Sequence, residues 1–200
     1  MFLRYFQSNK KYSVTNSTSN TVEFANEIET YINRLILILS ISVIIFIGTF
    51  FYLGKSFIAF TLIGVELLFS IILILNKSQY TLVSKVLLTS SINILTLLYA
   101  SCFREGAGVH LLFFSYIGIP LILFNRDKES IYYRCGVSLP IISFSTLYLL
   151  DFKILPYANL TAFGTSLIFY MSALTTFVII GASLRVFISQ KKNITTSYLK

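Results

Sequence analysis

Six long runs of apolar residues follow one another along the chain, separated by short polar segments. The runs cover residues 35–53, 56–75, 83–102, 109–124, 135–150 and 162–184. Apolar residues fill nearly every position of each run, whereas a strand of a membrane barrel alternates apolar and polar residues. Because only a helix satisfies its backbone hydrogen bonds within one such segment, the pattern predicts a bundle of six transmembrane helices.

Two of the six runs are short for a membrane span. A helix needs about 20 residues to cross the hydrocarbon core, and the other four runs are 19 to 23 residues long. Runs 109–124 and 135–150 have 16 residues each and contain Pro120 and Pro140. Both runs must borrow flanking residues to span fully, and a re-entrant or interfacial course stays open for each.

Residues 1–34 form the only long polar stretch. Apolar residues recur at helical spacing from its second half into the first apolar run, namely Phe24, Ala25, Ile28, Tyr31, Ile32 and Leu35. This spacing predicts a short amphipathic helix that leads into the first span. The predicted organisation is a cytoplasmic segment at 1–34, a six-helix transmembrane domain at 35–188 and a cytoplasmic tail at 189–200.

The composition agrees with a lipid-facing protein. Apolar residues make up 56% of the chain, charged residues 12%, and the mean hydropathy is +0.78. A soluble domain carries about 25% charged residues to cover its surface. The chain is therefore predicted to be an all-α integral membrane protein whose first partner is the lipid bilayer.

The net charge of +8 comes from basic residues between the apolar runs, which does not indicate nucleic-acid binding. With the N-terminus placed inside, only Lys55, Arg104 and Lys153 of the 16 Lys and Arg residues lie in outer loops. Such an asymmetry follows the positive-inside rule. Both termini are predicted to be cytoplasmic, in the cytoplasmic membrane of a bacterium.

Two polar residues stand at mid-span positions. Glu66 and Asn93 each lie about ten residues into antiparallel spans, which places both near the bilayer centre at about 1.5 Å of rise per residue. A hydrogen bond between them would satisfy both groups. The pair is either a polar contact that holds two helices together or a midplane site for a proton, an ion or a ligand.

A second group of ionisable residues lies at the outer mouth of the third and fourth spans. Arg104, Glu105 and His110 are close in sequence, and His110 is the only histidine. Histidine titrates near neutral pH, so the group could bind a ligand or respond to pH. We expect the three side chains to line one pocket, with Phe113 or Phe114 in its apolar wall; a simple polar turn is the alternative.

The sixth run is rich in small and hydroxylic side chains, which let helices approach closely. These residues are Thr165, Ser166, Ser172, Ala173, Thr175, Thr176 and Gly181. They predict a packing face within the bundle or between subunits, and we expect a homodimer formed through the transmembrane helices.

Catalytic signatures are missing from the sequence. There is no HExxH, no G-x-S-x-G and no P-loop. One histidine and eight carboxylates leave little for acid–base catalysis, and the two cysteines form no metal motif. We expect no enzyme, no catalytic residue, no metal and no cofactor in this chain.

One stretch resembles a known membrane module. A glycine-containing turn from Glu105 leads into a His- and Phe-rich fourth run that ends in Pro120-Leu-Ile-Leu-Phe124 and a charged segment at 125–129. The stretch resembles the six-span N-terminal module of certain bacterial sensor histidine kinases and class III adenylate or guanylate cyclases. In that family the last span continues into a signalling helix and a catalytic domain.

The resemblance implies a sensory role. The module would couple an extracytoplasmic or intramembrane signal to a kinase or cyclase output, which lies on a partner or in a C-terminal part missing from this chain. The alternative is a small transporter or channel that uses Glu66 as its midplane polar site.

Overall fold

The computed structural model describes residues 28–78, 80–103, 105–156 and 158–198. The described part of the chain is all-α, as the sequence predicts. Its elements are α1 (Ile28–Tyr52), α2 (Ser56–Lys77), α3 (Thr81–Phe103), two 3₁₀ turns (Glu105–Ala107 and Val109–Leu111), α4 (Leu112–Tyr116), α5 (Gly118–Leu123), α6 (Ser130–Leu149) and α7 (Ala162–Tyr198).

Four of the helices are long and apolar enough to cross a membrane. They are α1, α2, α3 and the Ala162–Ile188 part of α7, with 22 to 27 residues each. Their length and apolar composition indicate an integral membrane protein. These helices agree with the predicted integral membrane protein, while the six-span count stays a prediction.

The helices formed by the fourth and fifth apolar runs are not among those long and apolar enough to cross a membrane. The fourth is the shorter apolar helix Val109–Leu123. Pro120 has no amide hydrogen to donate to the carbonyl of Tyr116, and the helix is interrupted at Ile117 although its backbone there stays helical, with φ −60° and ψ −36°. The fifth run forms α6, which has Pro140 in its interior and begins upstream of the run, at Ser130.

The predicted amphipathic N-terminal helix is the first part of α1, as far as the structure describes it. Ile28, Tyr31, Ile32 and Leu35 are all buried, and the helix continues through them into the first apolar run without a break. The earlier part of this predicted helix lies outside the described residues.

α3 forms the centre of the bundle. It contacts α2, α4 and α6, and a larger share of it is buried than of the other three long helices. α7 packs on α4, α5 and both 3₁₀ turns. α1 joins this core through Phe50, whose ring stacks on Phe103 of α3 with 5.1 Å between centroids.

Polar contacts tie helices together at one end of the bundle, where α1, α3 and α6 begin, which we call the basic end. The Asn76 side chain at the end of α2 donates to the side chain of Asn33 in α1 (2.9 Å). The Tyr31 and Ser183 hydroxyls share a hydrogen bond of 3.0 Å that joins α1 to α7. Both hydrogen bonds fix the position of one helix along its neighbour, which apolar packing alone would not specify.

A buried ion pair also lies at the basic end. The Lys85 ammonium, at the start of α3, donates to both carboxylate oxygens of Glu129 at 3.0 Å. Glu129 also accepts the backbone amide of Asn125 (2.8 Å), and Lys85 lies 5.8 Å from the centroid of the Phe124 ring. The loop between α5 and α6 is thereby anchored on α3.

Candidate functional site

The predicted outer-mouth group is only partly brought together. Arg104 lies outside the described residues. Glu105 is exposed on the first 3₁₀ turn, and His110 is half-buried on the second. The expected convergence of three ionisable side chains on one pocket therefore stays a prediction.

His110 lies in an aromatic cluster. Its ring meets Phe152 edge-on at 5.5 Å between centroids and lies 6.2 Å from Phe144. The predicted neighbours Phe113 and Phe114 both contact Phe144, with 6.5 and 5.5 Å between ring centroids. The Phe144 ring therefore lies between them and His110 in this series of ring contacts. Phe113 is buried, whereas Phe114 is largely exposed.

The turn after α6 supplies Phe152 to this cluster. Asp151 and Phe152 have positive φ angles of 49° and 56°, which side-chain-bearing residues rarely adopt. The Phe152 amide donates to the carbonyl of Leu147 (2.9 Å), and its side chain is buried. A strained backbone is thus held where it places an aromatic ring against His110.

Glu66 and Asn93 do not form the predicted hydrogen bond. The Asn93 amide donates instead to the carbonyl of Thr89 in its own helix (2.8 Å), and Asn93 is fully buried. The Glu66 carboxyl lies near the Ser40 hydroxyl of α1. The predicted polar contact between α2 and α3 is therefore not made at these two positions.

Unsatisfied polar atoms remain at both positions. Glu66 Oε1 and Asn93 Oδ1 are buried and have no hydrogen-bond partner within the described part of the chain. Buried polar atoms are nearly always paired in folded proteins, so each is a candidate contact for a proton, a ligand or water.

A cavity of about 90 Å³ lies between α1, α2, α3, the second 3₁₀ turn, α4 and α7. Aromatic rings make up much of its wall, among them Phe46, Phe50, Phe69 and Phe103. Five hydroxyl side chains also line it: Ser42, Thr96, Tyr99, Tyr116 and Thr175. A few polar groups set in an apolar wall are typical of small-molecule sites.

Two of these hydroxyls contact each other inside the bundle. The Thr96 hydroxyl of α3 donates to the phenol oxygen of Tyr116 of α4, at 3.3 Å. Both residues are at least 95% buried. The bond joins the central helix to the broken fourth helix beside the cavity.

A groove of about 230 Å³ lies between α1 and α7, next to the cavity. Ser42, Phe46 and Thr175 line both spaces. The outer wall of the groove includes Ile41 and Val178, which are exposed and apolar. The groove therefore opens on the apolar outer surface of the helices and shares part of its wall with the cavity.

Sequence reasoning missed the cavity and the Lys85–Glu129 pair. Tyr116 and Thr96 are polar residues within apolar runs, which was a usable signal for the cavity. Lys85 near the start of the third run was a usable signal for the ion pair, because a basic residue at a helix end needs a partner or water. Neither signal says which helix the side chain faces.

No protein-family model, curated protein or solved structure matches this chain. The part of the chain that the structure describes also holds no group of three His, Cys, Asp or Glu side chains that could bind a metal ion.

Proposed function

We propose that this chain is a membrane sensory module that couples a signal received within the bundle to a cytoplasmic kinase or nucleotide cyclase. The observation that carries the proposal is the course of α7. This helix lines the cavity through Ile168 and Thr175 and continues unbroken to Tyr198. A change at the cavity would reach the far end of α7 as a movement of one rigid element.

The length of α7 supports this role. Its 37 residues extend about 55 Å at 1.5 Å per residue, well beyond a hydrocarbon core of about 30 Å. Residues 189–198 would then project about 15 Å past the apolar part of the helix. A projecting helix of this kind can transmit its rotation or displacement to an output domain or to a partner protein.

The proposed arrangement has six spans, both termini in the cytoplasm and the basic end on the cytoplasmic side. Positive-inside charge supports it, since the buried Lys85 and the exposed Arg126 and Lys128 all lie near that end. In this arrangement His110 and its aromatic cluster lie at the outer mouth, in a bacterial cytoplasmic membrane.

A homodimer through α7 is part of the proposal. The hydroxylic residues Ser172 and Thr176 are buried within the chain and leave a different face of α7 for a partner. Exposed apolar residues recur on that face every seven positions, at Phe163, Tyr170, Phe177 and Leu184. A repeat of seven is the spacing with which two parallel helices pack along one seam.

Insertions in α7 test the sensory role. One or two alanines placed after Ile188 rotate everything beyond them by about 100° each, whereas seven add about two full turns. We expect one or two alanines to change the cyclic nucleotide content or kinase phosphorylation of the native host, and seven to restore it. Equal output from all insertions and from a deletion strain would refute the coupling.

A transporter or channel is the second candidate, favoured by the buried, unpartnered Oε1 of Glu66. Glu66→Gln keeps the size of the side chain and removes its charge. On this reading, proton or ion flux into proteoliposomes is lost while the folded yield is unchanged. On the sensory reading, the variant shows no flux difference from wild type.

A further inference from the structure

We infer that the cavity binds an uncharged, lipid-soluble molecule that presents a hydrogen-bond acceptor at one end, such as a long-chain alcohol or ketone, and that it enters from the bilayer between α1 and α7. The inference rests on the proposed function in that this molecule would be the signal. The binding site itself can be tested without any output.

The wall of the cavity selects against charge. None of the residues that line it is an Asp, Glu, Lys, Arg or His, and most are aliphatic or aromatic. A charged group transferred into such a wall would lose its hydration without gaining a counter-ion. The part of the ligand that enters must therefore be uncharged.

The Tyr116 hydroxyl supplies the specific contact. Its oxygen accepts the Thr96 hydroxyl at 3.3 Å, and its own proton has no acceptor among the residues that the structure describes. Tyr116 is 4% exposed, so its hydroxyl is shielded from the outer surface of the bundle. A buried hydroxyl that lines a cavity and lacks an acceptor calls for one on the occupant.

The size of the cavity sets how the ligand lies. About 90 Å³ is less than the roughly 150 Å³ of an apolar cavity that takes up benzene. Only the polar tip and a few carbons fit inside. The rest of the molecule has to extend past Ser42, Phe46 and Thr175 into the groove of about 230 Å³.

The groove points to the bilayer as the source. Its outer residues Ile41 and Leu174 are 52% and 66% exposed, which places apolar side chains where lipid would surround them. A phospholipid tail could enter the same groove, but a tail carries no acceptor at the depth of Tyr116. The free molecule is therefore the occupant that satisfies the buried hydroxyl.

Photolabelling tests the site directly. The full chain in phosphatidylcholine nanodiscs is irradiated with a hexadecanol that bears a diazirine near its hydroxyl end, and labelled residues are mapped by mass spectrometry. We expect saturable labelling of the segments around Thr96 and Tyr116, with excess plain hexadecanol displacing it. A parallel arm uses phosphatidylcholine with the diazirine in its acyl chain, which should label lipid-facing residues only.

Matched variants identify the hydroxyl. Tyr116→Phe removes the donor and keeps the ring, and should lower cavity labelling about 3- to 10-fold, the range expected for one lost hydrogen bond. Tyr52→Phe makes the same change at an exposed tyrosine and should have no effect. Thermal melting of both variants in the same nanodiscs separates a loss of binding from a loss of folding.

Three results would overturn the inference. They are no saturable cavity labelling of the wild-type protein, equal labelling of the cavity by the phospholipid probe, and equal binding by folded Tyr116→Phe and wild type. If the cavity binds the probe but insertions in α7 do not change the output, the binding site stands and the sensory function is refuted. If insertions change the output but the cavity does not bind the probe, the sensory function stands and the binding site is refuted.

Discussion

Lys85 is a buried cation, and its anionic partner among the described residues is Glu129 in the loop between α5 and α6. Its side chain is 7% exposed and that of Glu129 21% exposed. Breaking a buried ion pair by removing one partner costs about 3–5 kcal/mol, because the other charge is left without compensation. The attraction within the pair therefore matters less for stability than the cost of losing one of its two members.

We expect Glu129→Gln to lower the free energy of unfolding in detergent by about 3 kcal/mol, at the low end of that range because Glu129 is partly exposed. The double variant Lys85→Met with Glu129→Gln should recover most of the loss. Lys153→Met, which removes a charge from the exposed Lys153–Asp151 pair, should change stability by less than about 1 kcal/mol. A Glu129→Gln variant as stable as the Lys153→Met control would show that the buried pair is not formed.

Phe152 combines a strained backbone with a buried ring. In the left-handed region an L-residue is disfavoured by about 1–2 kcal/mol, and glycine is free of that cost. Both Phe152→Ala and Phe152→Gly lose the ring contact with His110, but only glycine also relieves the strain. We expect the glycine variant to melt above the alanine variant, and the opposite order would argue against a positive φ at this position.

At the scale of elements, α7 has two faces with different tasks. One face buries Ile168, Ser172 and Ile179 inside the bundle. The other carries the seven-residue repeat, in which Phe177 is 73% exposed. Gly181 lies on the same face, and no atom of the described residues comes within 4 Å of a Cβ added there. This second face is the one that the proposed homodimer would use.

Cysteine cross-linking in membranes tests this face. In a variant whose native cysteines are replaced by serine, we expect Phe177→Cys to form a disulfide-linked dimer on oxidation. Thr176→Cys, on the buried face, should not. Phe60→Cys, at an exposed position of α2, reports random collisions, and a dimer yield from Phe177→Cys no higher than from Phe60→Cys would contradict the homodimer.

Helix positions were largely readable from the sequence, and helix orientations were not. The runs at 56–75 and 83–102 correspond to α2 and α3, and α7 begins at Ala162 as its run does. The rotation of each helix about its own axis could not be predicted in this way. Side chains that face lipid and side chains that face the core of the bundle are both apolar, so no polar stripe marks the outer face of a helix.

The candidate residues show the same limit. Glu66 and Asn93 could be placed at one depth by counting residues, yet Glu66 faces Ser40 on α1. The cluster around His110 depends on Phe152, which reaches it through two left-handed residues in a loop. The cavity is lined by six elements between residues 39 and 175, so only their packing could reveal it.

At the scale of the whole molecule, the proposed topology places the two ends of the bundle on opposite sides of the membrane. Lys128 and Lys153 are both exposed and lie in different loops. We expect Lys153→Cys, in the cysteine-free background, to react with an impermeant maleimide on intact cells, and Lys128→Cys to react only after permeabilisation. If both positions reacted on intact cells, the result would contradict the six-span arrangement.

A sensory role for the whole molecule requires that occupancy of the cavity moves α7. Spin labels at Lys128→Cys and Ile188→Cys, in labelled protein diluted with unlabelled protein, report one intramolecular distance at the basic end by pulsed electron paramagnetic resonance. With hexadecanol at a concentration that saturates photolabelling, we expect a shift of about 1–2 Å, the size of known helix displacements, and no shift in Tyr116→Phe. Identical distance distributions with and without bound alcohol would contradict the proposed coupling.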